Sequence, residues 1–324
     1  MNDRTDKMPP GVLITFDVEC SMGGAWHRDD LDPVPPRLGM MGDYGQRKLG
    51  LPLICRILGN SELAATFFVE VFNDELGWPG ETEPVVQYLL DRDQDVQLHI
   101  HPNHKHYADY KKGLSTSRED DLAKLDESEQ VALLEEGVER LKRWTGRAPV
   151  AFRAGNMGAS VENLAQLERV GLTIDSSYSF PFSGGQCPFV TDKPFNGSRW
   201  YGNVLELALS GYRQMRLPGL KASKPLDLMG ISFEECRDAI RKINRAGADA
   251  VVILHSFSLF KVRDVQYRRG RLNRDRHPVY TFDQVARGID RGTYTARETP
   301  PCSVHTLRSV VRKAVQAANS WYWF

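Results

Sequence analysis

Short apolar runs rich in β-branched and aromatic residues recur along the chain at 12–16, 64–69, 95–100, 149–153, 172–175 and 250–255. Between them lie stretches of helical character at 52–58, 85–92, 129–145, 160–170 and 233–246, and further helices are predicted at 281–290 and after Ser303. A chain that alternates strand and helix in this way builds βαβ units around a parallel sheet. The first strand is not followed by a GxGxxG turn, which argues against a dinucleotide-binding sheet and favours a (β/α) barrel. No internal repeat and no Ser/Gly-rich linker divides the chain, so one domain is expected: a polar tail over 1–11, a barrel over 12–300, and a C-terminal helix with an apolar tail over 301–324.

Composition narrows the function classes. Of 324 residues, 41% are hydrophobic and 42 basic side chains balance 42 acidic ones, which excludes a disordered chain and a uniformly basic nucleic-acid binder. The balance is uneven along the chain: residues 1–200 hold 21 basic and 31 acidic side chains, residues 201–324 hold 21 and 11, so zero is the sum of −10 and +10. Five cysteines without a CxxC pair read as free thiols of a reducing compartment. The N-terminus lacks the apolar stretch of a secretory signal, and no run approaches the roughly 18 apolar residues of a membrane span. A cytoplasmic protein of unspecified oligomeric state is the expectation.

Residues able to do chemistry collect at the C-terminal ends of the predicted strands: Asp17 and Glu19, His99 and His101, Arg153, Asp175 and His255. That edge is where parallel α/β folds build their sites. The densest signal is LHIHPNHKHY, which holds four of the eight histidines, at 99, 101, 104 and 106. Imidazoles from a strand end and the adjoining turn can converge on one ion, with His106 the expected bystander. In FDVEC, Asp17 and Glu19 are two positions apart and share a side if the strand persists. One carboxylate can then bind a metal while the other accepts a proton from water.

The order of these segments resembles the polysaccharide deacetylase family, the NodB-like carbohydrate esterases. TFDVE is similar to the family's first motif, AATFFV to its buried second strand, LHIHPNH to its metal-binding histidine motif, FRAGNMG to its arginine motif, IDSSYS to its aspartate motif and VVILHS to its final histidine motif. The match runs from about residue 12 to 290. It implies an α/β fold, a distorted (β/α) barrel of seven or eight parallel strands, holding one divalent metal, with zinc the first choice. It also implies a carbohydrate substrate from which an N-acetyl group is hydrolysed. Carried over by position, Asp17 would be the general base, Glu19 a metal ligand, His255 the general acid, Asp175 its tuning partner, and Arg153 the group that keeps Asp17 ionised.

Three departures accompany the resemblance. FDVE stands for FDD; the fourth residue after His99 is Asn103 rather than histidine; and Arg153 is followed by AlaGlyAsnMetGly where the family has a proline. The histidine ligands are therefore drawn from His99, His101 and His104, the first two favoured and His104 as substitute. Long connections at 20–50, 102–127 and 176–202 carry aromatic residues that could stack on sugars or simply anchor the loops. A basic loop over 256–278, with Lys261, Arg263, Arg268, Arg269, Arg271, Arg274 and Arg276, could receive a phosphate or another anion on the substrate, or simply be a solvated loop or partner contact. Two other readings stay open: a metal amidohydrolase acting on a non-sugar C–N bond, and a catalytically silent barrel that binds glycan or a partner.

Overall fold

The computed structural model describes residues 7–28, 30–214, 223–259 and 278–304. Its main sheet has ten strands: β1 (Val12–Val18), β2 (Thr66–Glu70), β3 (Asp95–Ile100), β4 (Ala151–Ala154), β5 (Ile174–Asp175), β6 (Asn196–Tyr201), β7 (Val204–Leu207), β8 (Ala250–His255), β9 (Val279–Tyr280) and β10 (Glu298–Thr299). Their spatial order is β8-β1-β2-β3-β4-β5-β7-β6-β10, with β9 beside β1. From β8 to β7 every neighbouring pair is parallel. The gap between β7 and β8 is crossed by single backbone bonds, Ser210 N–H to the Val251 carbonyl and Ile253 N–H to the Leu226 carbonyl, both 3.1 Å. The sheet thus curls into a distorted (β/α) barrel whose seam is irregular.

The crossover helices start where the sequence supplies caps. In α4 (Glu127–Thr145), Asp126 accepts from the Glu129 amide and Gly146 ends the helix at φ 76°; Ser232 opens α6 (Phe233–Arg245) and Thr281 opens α7 (Phe282–Asp290) with the same reciprocal cap. Among the described residues, the remaining helices longer than four residues are α1 (Leu51–Gly59), α2 (Glu83–Leu90), α3 (Pro102–Lys111) and α5 (Leu164–Arg169). Two of them modify the expectation: the stretch after His101 opens with a helix rather than a loop, and 160–170 is a 3₁₀ turn followed by the short α5. The connection over 176–202 also ends in an unexpected strand, β6, antiparallel to β7.

Alternation along the strands sorts side chains into two layers. Leu13, Phe68, Ala151, Ile174, Leu205, Leu207, Val251 and Ile253 form one buried cluster, the barrel interior. Val12, Phe16, Val18, Val96, Leu98, Ile100 and Phe152 face the helices in the larger cluster. The interior parity continues from Leu13 to Asp17, from Ala151 to Arg153 and from Val251 to His255. Asp175, one residue after the interior Ile174, is out of step with it. The basic loop residues 260–277, the C-terminal helix and the SWYWF tail lie outside the described residues. Among those described, no helix is long and apolar enough to cross a membrane.

Candidate metal centre

Strands β1 and β8 lie in register with Asp17 opposite His255, and β2 and β3 with Glu70 opposite His99; His99 in turn is level with Arg153 of β4. Five adjacent strands, β8, β1, β2, β3 and β4, therefore deliver their polar ends to one place. Glu19, just past β1, reaches over it: its Oε2 lies 2.6 Å from His101 Nε2 and 3.3 Å from His99 Nε2, and its Oε1 lies 3.8 Å from His255 Nε2. Glu19, His99 and His101 each present a ligand atom within 4.8 Å of the others.

The far nitrogen of each imidazole is already engaged. His99 Nδ1–H donates to the Arg153 carbonyl at 2.8 Å, and His101 Nδ1 lies 3.0 Å from both oxygens of Asp120. Both rings thus turn Nε2 inward, the arrangement that metal-ligating histidines adopt when an outer acceptor fixes the tautomer. His101 is the N-cap of α3 in extended conformation, and Pro102 starts the helix at the position where a missing N–H costs nothing. The room for its ring comes from Gly155: a Cβ there would stand 2.4 Å from the imidazole.

The electrostatics favour a cation at this point. Burial opposes charge on Glu19, but His101, His99 and His255 outweigh it and hold the carboxyl well below the usual range. Burial likewise opposes protonation of His101, yet Asp120 and Glu19 on either side push it well above the ordinary histidine value; His99 is raised by Asp17 and Glu19 against the same penalty. These are the donor types and the charge that a divalent ion needs, so the three residues fit one. His104 is not brought into the trio. It is buried, stacks on His101 with centroids 4.8 Å apart, and is pushed down to about 3 by burial and by His101.

Asp17 is buried beside this cluster, its Oδ1 2.5 Å from Arg153 Nη1. Arg153 is held in turn by the Ser176 carbonyl and Oγ, each at 3.1 Å, and lies over the Phe68 ring. Asp175 is elsewhere: it accepts from Ser177 Oγ at 2.7 Å and faces Glu206 on β7, and no hydrogen bond or ion pair joins it to His255. Glu70, Asp120 and Gly155 were not singled out from sequence. Glu70 ends a buried strand and accepts from the amides of Phe72 and His101, with burial pushing its carboxyl up to about 7. A charge closing the run AATFFVE was the available signal.

The mouth loops largely pack on themselves. Trp26 meets Tyr107 and Tyr110 at 5.2 and 4.8 Å, and Tyr178 stacks with Phe195 at 4.7 Å, as anchors do. Tyr44 and Trp200 are exceptions, 55% and 42% exposed.

No family model matches the chain, and no curated protein matches it. Among solved structures, it is similar to one described as a polysaccharide deacetylase from Mycobacterium smegmatis, at 16% identity and a TM-score of 0.50, covering 93% of this chain and 97% of the other. It is also similar to a CE4 family pseudoenzyme from Bacillus anthracis (14% identity, TM-score 0.42, 85% and 64% covered) and to a protein described as a polysaccharide deacetylase from Pseudomonas aeruginosa PAO1 (15%, 0.44, 79% and 85%). At these identities the likeness is one of fold: the chain has the deacetylase-type distorted barrel.

Proposed function

We propose that the protein is a metal-dependent hydrolase that removes N-acetyl groups from a carbohydrate. The reading is carried by one observation: the Nε2 atoms of His99 and His101 converge on Glu19 next to an Asp17 that is locked to Arg153. Glu19, His99 and His101 would hold one divalent ion, zinc first among the candidates; when bound, it would polarise the amide carbonyl and lower the pKa of water. Asp17 accepts the proton of the attacking water, and Arg153 pairs with that carboxylate and aims it. His255, on the neighbouring strand and partly open to solvent, donates a proton to the departing nitrogen. Asp175 acts on this site through the sheet, by way of Ser177 and the Ala154 amide that Ser177 caps. Five free cysteines, four of them buried, agree with a reducing, cytoplasmic setting.

The test is zinc content of the purified protein, followed by acetate release from N-acetylated oligosaccharides with and without chelator. About one zinc per chain and chelator-sensitive acetate release support the proposal. Metal with hydrolysis of a different amide would replace the sugar substrate by another C–N bond, and no metal after reconstitution would leave a silent binding barrel.

A further inference from the structure

Asp120 lies 19 residues beyond His101, on the connection after α3, yet both its oxygens sit 3.0 Å from the same imidazole nitrogen. The contact is built rather than incidental. Glu119 folds back so that its carboxylate accepts from the amides of Asp120 and Asp121, at 3.0 and 2.9 Å. Asp121 pairs with Lys124 at 2.6 Å, and the Ala123 amide donates to the Gly158 carbonyl at 2.8 Å. Gly158 is glycine where a Cβ would stand 2.7 Å from the Asp121 backbone. On the other side of Asp120, Arg118 bonds the Tyr110 hydroxyl and lies over the Tyr110 ring at 4.8 Å. The segment is therefore pinned at both ends, to α3 and to the turn after β4, with Asp120 held between.

We infer that Asp120 is a positioning residue for the metal centre: its carboxylate holds the Nδ1 proton of His101, which fixes the ring's rotation and leaves Nε2 as the donor facing Glu19 and His99. The inference rests on the proposed metal site and adds a fourth residue that touches no ligand position itself. His99 does not need such a partner, because the Arg153 carbonyl serves it. His101 has no backbone acceptor at Nδ1, and a carboxylate makes it a stronger donor than a carbonyl would. The two histidines are thus oriented by different means.

The experiment is zinc affinity of the metal-free protein, read by competition with a chromophoric chelator, for wild type, Asp120→Asn and Asp121→Asn. Asp121→Asn removes the same charge from the same segment but not the contact with His101, so it separates a direct hold from a general field. The expected result is zinc binding weakened about 10- to 100-fold in Asp120→Asn, with Asp121→Asn close to wild type and the thermal midpoints of the metal-free proteins alike. Asp120→Ser, smaller and unable to reach the ring, gives the same loss should the amide variant fold poorly. Equal affinity in wild type and Asp120→Asn overturns the inference while leaving the metal site standing, and equal losses in both variants assign the effect to charge alone and overturn it too. A wild-type protein that binds no zinc overturns the metal site and this inference together.

Discussion

Arg153 and Asp17 meet across 136 residues of sequence, guanidinium to carboxylate at 2.5 Å, with 1% and 7% of their side chains exposed. A charge buried to this degree is tolerable only with its partner. Arg153→Gln strands the carboxylate in the barrel and should cost about 3–5 kcal/mol of stability, read by urea unfolding of the metal-free protein. A loss under about 1 kcal/mol, the size of an exposed pair, would show that water reaches Asp17.

His101 and His104 are three residues apart and stacked, but only His101 turns a nitrogen to Glu19. His101→Ala should weaken zinc binding by more than the about 100-fold that an outer partner controls, and His104→Ala should leave it unchanged. Chelator competition distinguishes them, and the reverse ranking would make His104 the ligand.

Gly155 gives the His101 ring its space. Gly155→Ala places a methyl group 2.4 Å from the imidazole, whose two nitrogens are held by Asp120 and Glu19. Zinc affinity should fall about 10-fold or more while the circular dichroism of the folded protein is kept. Unchanged affinity would mean the ring sits elsewhere in solution.

Asp175 and Glu206 form a buried carboxyl pair, each with one oxygen that has no other partner. Burial and Asp175 together push Glu206 well above its ordinary value of 4.5, so the pair keeps a proton that the unfolded chain gives up. The folded state then binds more protons above pH 4.5, and stability should fall as pH rises from there toward the raised Glu206 value. Glu206→Gln, which keeps a donor toward Asp175, should flatten that decline. Urea midpoints measured from pH 5 to 8 check it, and an identical slope in the variant would show that the pair is not sharing a proton.

Much of the fold was legible because strand and helix periods alternate and turn residues mark their limits; the polar strand ends at Asp17, His99, Arg153 and His255 then fell on one face by the period of two. What escaped did so for physical reasons. Helix α3 carries PNHKHYADYK, a stretch with no apolar stripe, and is set by Pro102 and by packing rather than by pattern. Asp120 sits in STSREDD, where every carboxylate looks solvated, and only the fold of the segment brings it to His101. Asp175 was grouped with the site by motif, but the pleat turns it toward Glu206. The hairpin of β6 and β7 had a signal, the Gly202-Asn203 turn between Tyr201 and Val204, with Gly202 at φ 61°.

The division of labour between Asp17 and Glu19 is tested most directly by acetate release from zinc-loaded Asp17→Asn, compared with wild type at equal zinc occupancy. Asp17 touches no member of the ligand trio by hydrogen bond and is bonded to Arg153 instead, so the variant should bind about one zinc and lose about 10²–10⁴-fold in turnover, the usual contribution of a general base. Loss of zinc from Asp17→Asn, or turnover that survives in the zinc-loaded variant, would contradict that assignment of base and ligand.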